Sequence, residues 1–273
     1  GPTDGTPTLW SLSEDEAPTQ LSSSAVADAG PPAIASEGGT TAAGWVEAGA
    51  DGSSVINITT LDPFGAPTGN QVQISAAGDV SQLDMAISGG TILAVYTEEK
   101  PDGSSEINGA AVIPSDDAPP EVVQFTVASG GPNESIRDPD MVTRKGDSND
   151  APDLQVLIVV TSVTDAEAAN AGIGEIRIAN FDIEPSSDPA AGPSMDIVET
   201  NLSGEPVEPG SGDHIIALEV DGNPAVGRDP HGVVPDNDEL LATYIDPEGN
   251  IQGVIVDTEN DGTPAMMGLG DLT

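Results

Sequence analysis

Two segments of the sequence, 51 residues apart, share one pattern, and this repeat constrains the fold more than any other feature. Residues 33–58 (AIASEGGTTAAGWVEAGADGSSVINI) align without a gap on residues 84–109 (DMAISGGTILAVYTEEKPDGSSEING). Both contain Gly-Gly-Thr, then an aromatic residue, then Asp-Gly-Ser-Ser. A supersecondary unit that repeats at a fixed period cannot bury its own apolar face, so it packs against copies of itself. The repeat therefore predicts a chain of similar, adjacent units.

Each unit is predicted to contain four short antiparallel strands. In the first full repeat these are residues 33–36, 41–47, 54–61 and 71–74. The third of them is rich in β-branched residues and alternates with a period of two, which is typical of a strand with one buried face. Gly-Gly, Asp-Gly and Asp-Pro-Phe-Gly segments separate the strands and favour turns. No segment has the length and periodicity of an amphipathic helix.

The whole chain divides into repeats of this kind. Repeats of four antiparallel strands, roughly 45 to 50 residues long, are typical of β-propeller blades. We therefore expect an all-β fold, a single β-propeller domain over residues 1–273, and we favour a five-bladed ring. A fragment of a longer array and a twisted β-sandwich are the alternatives, although a sandwich needs no such period. The predicted parts are a half blade at 8–23, full blades at about 31–75, 80–127, 136–199 and 225–270, and an extra strand at 214–220 that would complete the half blade.

The charge of the chain limits its partners. The 273 residues include 47 Asp and Glu but only 6 Lys and Arg, for a formal net charge of −41. Such a charge disfavours nucleic acid and anionic membrane surfaces and favours cations, in a saline or calcium-containing extracellular medium. The chain has no cysteine, which excludes disulfides and thiolate chemistry, and no apolar run long enough to enter a bilayer. We expect an extracellular or cell-surface location.

The repeats of residues 31–128 resemble those of large, acidic, secreted bacterial proteins of the RTX type, in which strands alternate with Asp-Gly and Asp-x-x-Gly turns. Two further stretches, residues 146–154 (GDSNDAPDL) and 257–264 (DTENDGTP), resemble degenerate FG-GAP calcium loops. The resemblance implies bound Ca²⁺, a hard cation that takes six to eight oxygen ligands. The implied metal ligands are Asp147, Asn149 and Asp153 in the first loop and Asp257, Glu259 and Asp261 in the second.

Both loops depart from the FG-GAP pattern. The first lacks the glycine that would allow a sharp turn. The second has Gly262, but Ala265 or Met266 replaces the downstream Asp of the pattern. A plain, solvated acidic turn is therefore the alternative to a calcium site at each loop.

The scarce cationic residues are candidates for ligand binding. Arg137 begins the segment 137–142, which aligns on residues 81–86, and Arg228 is followed by the same Asp-Pro dipeptide as Arg137. Both arginines are expected at the start of inner strands, where the guanidinium groups could bind an anionic or sugar ligand. The alternative is that each arginine only pairs with the neighbouring aspartate. His214 and His231 have no third partner at metal-ligand spacing.

Motifs for catalysis are absent from the sequence. It contains no Gly-x-Ser-x-Gly, His-Glu-x-x-His or Walker motif. Tyr96, Tyr244, Glu98 and Arg228 are the nominal candidates for an enzyme that works at a propeller channel, although 47 carboxylates make chance pairs common. The equivalent residues Trp45, Tyr96 and Tyr244 are more simply explained as core residues of each second strand.

Two hypotheses for function remain, and they belong to different classes. The first is a non-enzymatic extracellular module, stabilised by cations, that binds a protein or glycan partner or builds an adhesive or filamentous structure, with self-assembly by strand donation between chains. The alternative is a propeller enzyme that acts on polysaccharides, of the glycosidase or lyase type. The alternative requires an axial pocket at which two carboxylates and an arginine meet.

Overall fold

The computed structural model describes about two thirds of the chain, and every element in that part is a β-strand. The chain divides into two compact units, Gly1–Gly103 with Asn108–Gln124, and Ser104–Ile107 with Phe125–Thr273. No helix in the described part is long and apolar enough to cross a membrane. The described residues are 9–11, 19–22, 32–48, 53–69, 71–76, 78–115, 119–130, 135–144, 155–163, 174–185, 195–200, 214–220, 225–228, 239–246, 248–257 and 265–271.

The N-terminal part contains a short two-stranded sheet and the first four-stranded sheet. The short sheet lies within the predicted half blade. The first four-stranded sheet is an antiparallel meander, and its third strand has the predicted bounds. The short sheet contains β1 (Trp10–Ser11) and β2 (Thr19–Gln20), and the meander contains β3 (Ala33–Glu37), β4 (Thr40–Ala48), β5 (Ser54–Leu61) and β6 (Val72–Ser75).

The second four-stranded sheet repeats the order of the first. The same Gly-Gly turn joins the inner strand to the second strand in both sheets, and all four glycines have a positive φ. Positive φ at both central residues matches the right-handed twist of the flanking strands, which explains why glycine fills these positions. The strands of this sheet are β7 (Asp79–Ser88), β8 (Thr91–Glu99), β9 (Ser105–Ile113) and β10 (Glu121–Ser129).

The third and fourth sheets lie mainly in the second unit, and the third has six strands. Its inner strand is divided into two short pieces that pair with the same neighbour. The third sheet contains β11 (Ser135–Arg137), β12 (Met141–Arg144), β13 (Gln155–Val163), β14 (Gly174–Pro185), β15 (Met195–Thr200) and β16 (His214–Val220). The fourth contains β17 (Ala225–Arg228), β18 (Glu239–Ile245), β19 (Ile251–Asp257) and β20 (Ala265–Asp271).

The extra strand β16 has the predicted bounds but not the predicted partner. It pairs with the first part of β14, and β15 pairs with the second part of the same strand. Because β14 is 12 residues long, its outer edge accommodates both strands. The prediction that residues 214–220 complete the N-terminal half blade was therefore wrong.

The predicted fold class is confirmed. The described part of the chain is all-β, and its first, second and fourth sheets are four-stranded antiparallel propeller-type blades in the order inner, second, third and outer strand. The third sheet contains the same order, with a divided inner strand and the extra strand β16. The number of blades that close one ring stays a prediction.

The core of the first unit follows the strand alternation seen in the sequence. Its second and third strands contribute side chains that are 0–1% exposed, among them Trp45, Ile56, Ile58 and Ile92. In the second unit the rings of Phe125 and Phe181 pack with their centroids 5.4 Å apart. Aliphatic and alanine side chains make up most of both cores, as the 3% aromatic content predicts.

A repeated serine links each of two third strands to the inner strand of the next sheet. Ser54 Oγ accepts a hydrogen bond of 3.0 Å from the Val80 N–H, and Ser105 Oγ accepts one of 2.7 Å from the Ile136 N–H. The two serines occupy equivalent repeat positions, and both are buried. The bonds therefore satisfy buried backbone donors where the next blade begins.

Replacing either serine by alanine is expected to lower the free energy of unfolding by about 2 kcal/mol, because the backbone N–H is left buried without an acceptor. Urea unfolding followed by circular dichroism measures the change. Ser129→Ala is the control, because Ser129 is exposed and should shift the value by less than about 0.5 kcal/mol. An equal, small effect of all three substitutions would show that the serine bonds contribute little.

Candidate functional site

The two candidate arginines lie on neighbouring inner strands of the second unit, but not at equivalent positions. Arg137 is opposite Thr161, near the end of β13, whereas Arg228 is opposite Leu240, near the start of β18. The prediction that both arginines lie at the start of inner strands was therefore wrong for Arg228. Arg137 is the last residue of β11, and Arg228 is the last residue of β17. The inner strand β17 of the fourth sheet contacts β12 of the third. Only the backbone position of Arg228 belongs to the described part of the chain.

The inner strand of the third sheet contains a β-bulge next to Arg137. Arg137 is opposite Thr161, and Met141 is opposite Ile158, so four steps along the inner strand face three steps along β13. Asp138 lies in this bulge with a φ of 58°. A left-handed conformation costs an L-residue other than glycine roughly 1–2 kcal/mol, and aspartate is one of the residues that tolerate it best.

The same bulge occurs in the second sheet. Ser81 pairs with Thr97 and Asp84 pairs with Val95, which leaves one extra residue on β7. Gln82 lies in this bulge with a φ of 53°. Gln82 and Asp138 are equivalent in the repeat alignment, so both inner strands bend at the same place. Bulges of this kind redirect side chains and are frequent beside active sites.

Buried neighbours hold Asp138 in its strained conformation. Ile136 is 1% exposed and donates its N–H to Ser105 Oγ, and Pro139 and Met141 on the other side are also buried. A strained residue persists only when the surrounding structure fixes it. The bulge is thus anchored on both sides, and it can present charged side chains in a fixed position.

Arg137 and Asp138 form a partly exposed pair of opposite charges. Arg137 Nε lies 3.5 Å from Asp138 Oδ2, with the side chains 41% and 21% exposed. The Nε atom is buried, and it makes no hydrogen bond within the described part of the chain. The structure therefore contains the predicted alternative, in which Arg137 pairs with the neighbouring aspartate. The Arg137 side chain nevertheless remains partly accessible to solvent.

The nominal catalytic pair Tyr96 and Glu98 lies inside the first unit. Glu98 is buried and accepts hydrogen bonds of 2.8 Å from the Gly78 N–H and from Asn108 Nδ2. Burial, together with the charge of Glu98, raises the pKa of Tyr96 to about 12. Trp45 is equally buried and donates its Nε1–H to Glu47. These side chains support the blade interior, as the explanation of Trp45 and Tyr96 as core residues predicts.

Tyr244 is half-buried, unlike its two repeat equivalents. Burial raises the pKa of the Tyr244 hydroxyl, and the charge of Asp246 adds to the effect. Tyr244 belongs to β18, the second strand of the fourth sheet.

The predicted calcium loops lie almost wholly outside the described residues. Asp257 ends β19, and only its backbone position is described. No group of three or more His, Cys, Asp or Glu side chains suited to a metal ion occurs in the described ranges. The calcium sites stay a prediction. The ligand residues outside the described ranges are Asp147, Asn149, Asp153, Glu259 and Asp261, and His231 is outside them too.

An acidic turn that the sequence analysis did not single out has a structural role. Asp246 Oδ1 accepts the N–H groups of Glu248 and Asn250, and Oδ2 accepts side-chain N–H groups of Asn250 and Gln252. Asp62 Oδ1 accepts two backbone N–H groups in the same way. The signal was the Asp-Pro-x-Gly pattern present at both turns. With four donors on one carboxylate, the Asp246 turn is closed without a cation.

The stability of this turn should depend on pH. Hydrogen bonding from Asn250 is the largest cause that lowers the pKa of Asp246 below its ordinary value of 3.8. A lowered folded-state pKa gives stability that is present above the unfolded-state pKa and is lost as pH falls through the folded-state value. The midpoint difference between wild type and Asp246→Ala is therefore expected to be larger at pH 7 than at pH 2.5, by thermal unfolding. The exposed Asp196→Ala is the control, and an Asp246 difference independent of pH would contradict the role.

A small cavity lies between the first two sheets within the first unit. Its volume is about 120 Å³, and its lining includes Thr59, Thr60, Thr68, Val112 and Pro120. All its lining residues are uncharged, so it lacks the two carboxylates and the arginine that the enzyme alternative requires. The Arg137 and Asp138 bulge is thus the better candidate site.

Comparison with known proteins gives structural neighbours but no family. No protein-family model matches the chain, and no curated protein matches it. Similar solved structures include an exo-1,5-alpha-L-arabinanase from a bovine ruminal metagenomic library, at 13% identity and a TM-score of 0.32, covering 86% of this chain and 95% of that one. They also include the GH43_1 enzyme from Xanthomonas citri, at 10% identity, a TM-score of 0.40 and coverage of 87% and 73%. A third is the Trypanosoma rangeli sialidase in complex with sialic acid, at 11% identity and a TM-score of 0.38, covering 95% of this chain and 40% of that one.

These neighbours correct one of the expectations from the sequence. The three structures are of glycosidases, and this finding overturns the expectation that the chain is a non-enzymatic extracellular binding or structural module. The propeller-type blades agree with the resemblance to RTX-type and FG-GAP repeats. Membership of either repeat class stays a prediction.

Proposed function

We propose that the chain is an enzyme that cleaves polysaccharides, of the glycosidase or lyase type, with its site on the inner strands of the second unit. The observation that carries the proposal is the left-handed Asp138 in an anchored bulge beside the accessible Arg137. Strain of this kind concentrates at functional sites, and here the flanking residues maintain it. Glycosidases are also among the structures similar to this chain.

The chemistry of glycoside cleavage fits these residue types. An ionised carboxylate attacks the sugar carbon or activates a water molecule for that attack, and a second, protonated carboxyl group gives its proton to the leaving oxygen. We assign the first carboxyl group to Asp138. Asp140, half-buried in the same connection between β11 and β12, is our candidate for the second. Arg137 supplies N–H donors that orient a sugar against Asp138.

Release of reducing ends from a panel of plant and bacterial polysaccharides tests the proposal. Asp138→Asn should lower kcat/KM about 100-fold or more on any substrate that is cleaved, because the variant lacks the ionisable group. Arg137→Gln should lower it about 10- to 100-fold through loss of charged hydrogen bonds. Asparagine also tolerates the left-handed conformation, so the Asp138 variant should keep the fold.

The control is Asp196→Asn, which removes an exposed carboxylate on β15 in the same unit and should leave kcat/KM unchanged. Cleavage that survives both site substitutions would move the site elsewhere. Absence of cleavage across the panel would overturn the proposed activity.

A further inference from the structure

The charge of the whole chain selects among glycans that could reach the site. With 47 acidic and 6 basic residues, the protein repels polyanions over distances up to the Debye length of about 8 Å at physiological salt. Uronate-containing, sulfated and sialylated glycans are polyanions or carry anionic sugars. Uncharged polysaccharides approach without this penalty.

The charges within the site also favour uncharged sugars over anionic ones. Asp138 Oδ2 lies 3.5 Å from Arg137 Nε, so the positive charge of the guanidinium is already balanced by a neighbouring carboxylate. An anionic sugar that binds Arg137 would bring its own carboxylate close to that of Asp138, and the two like charges would repel each other. A hydroxyl group carries no such cost.

The pair also offers complementary hydrogen-bonding groups side by side. The guanidinium is a planar donor without acceptors, and the carboxylate is an acceptor without donors when ionised. Of two adjacent hydroxyl groups on one sugar, one can accept a hydrogen bond from the guanidinium through its oxygen, and the other can donate its O–H to the carboxylate. Both side chains are partly exposed, so a ligand can contact them directly.

Resting on the proposed function in its glycosidase form, because a lyase needs an anionic uronate substrate, we propose that this site selects uncharged polysaccharides and that Arg137 and Asp138 together bind two adjacent hydroxyl groups of one sugar. Asp138 is then a specificity-determining residue as well as the reactive carboxylate. Its charge excludes anionic sugars from the guanidinium.

Isothermal titration calorimetry with defined trisaccharides tests the selection. The uncharged probes are xylotriose, cellotriose and maltotriose, and the anionic probes are trigalacturonate and triguluronate. In 0.15 M NaCl we expect the tightest uncharged probe to bind at least tenfold more strongly than either anionic probe. Asp138→Asn should reduce that ratio at least fivefold, whereas Asp196→Asn should leave it unchanged.

The outcomes separate this inference from the proposed function. Tighter binding of an anionic probe, or an unchanged ratio in Asp138→Asn, overturns the inference even if the enzyme cleaves a polysaccharide. Binding of uncharged probes with the expected ratio, but no cleavage of any polysaccharide, supports the inference and overturns the activity. Failure of every probe to bind overturns the site itself.

Discussion

Replacement of Trp45 by alanine is expected to lower the free energy of unfolding by about 4 kcal/mol, the cost typical of removing a buried aromatic side chain from a core. Trp45 is 1% exposed and packs in the second strand of the first sheet. Its Nε1–H donates a 2.8 Å hydrogen bond to Glu47 Oε1, so the substitution also removes a donor from a buried carboxylate. Urea unfolding followed by far-ultraviolet circular dichroism measures the loss.

Trp45→Phe is the matched variant for this experiment. Phenylalanine keeps an aromatic ring in the core but donates no hydrogen bond, so we expect a loss of about 2 kcal/mol. A loss below about 1 kcal/mol for the alanine variant would contradict the burial of Trp45, since a loss that small is close to the change of about 0.5 kcal/mol or less that is typical of surface substitutions.

Replacement of Gly78 by alanine is expected to cost about 3 kcal/mol or more, because the added methyl group would overlap the backbone of the neighbouring strand. A Cβ atom on Gly78 would overlap the carbonyl oxygen of Glu99 and lie 2.8 Å from its carbonyl carbon. Gly78 also donates its N–H to the buried Glu98 carboxylate, so a shift of this segment would disturb a second contact. Thermal and urea unfolding both measure the effect.

Gly44→Ala provides the control for Gly78. Its added methyl group would meet the sulfur at the end of the flexible Met85 side chain, which can move aside, in addition to Leu83 Cδ2 at 3.2 Å. We therefore expect a smaller loss, about 1 kcal/mol. Equal losses for the two glycines would show that the rigidity of the Glu99 backbone is not what makes Gly78 necessary.

Local pattern was enough to predict most strands of the fold. The bounds of β5 and β16 are those predicted, since alternation and turn residues mark both ends of these segments. The partner of β16 was predicted wrongly, because strand pairing depends on contacts far apart in sequence that a local pattern does not encode. The strand β14 is 12 residues long, which leaves room for two outer strands.

The candidate site was only partly predictable. The scarcity of basic residues and the repeated Arg-Asp-Pro tripeptide are features of the amino-acid sequence, and they indicate Arg137 and Arg228. The bulge at Asp138 could not be predicted, because it depends on the pairing register between the inner and second strands. The main expectation for function was wrong for a related reason. Net charge and acidic loops indicate how the surface interacts with solvent and ions. A catalytic site consists of a few side chains that the fold brings together, and composition does not show which ones.

Time-resolved mass spectrometry of polysaccharide digests tests the central claim most directly. Each uncharged polysaccharide is incubated with wild type, Arg137→Gln, Asp138→Asn and Asp196→Asn at equal concentrations. We expect oligosaccharide products that accumulate with time in wild type and Asp196→Asn and that fall at least tenfold in both site variants. Product formation that is equal in all four proteins, or absent from wild type, would contradict an enzyme whose site is the Arg137 and Asp138 bulge.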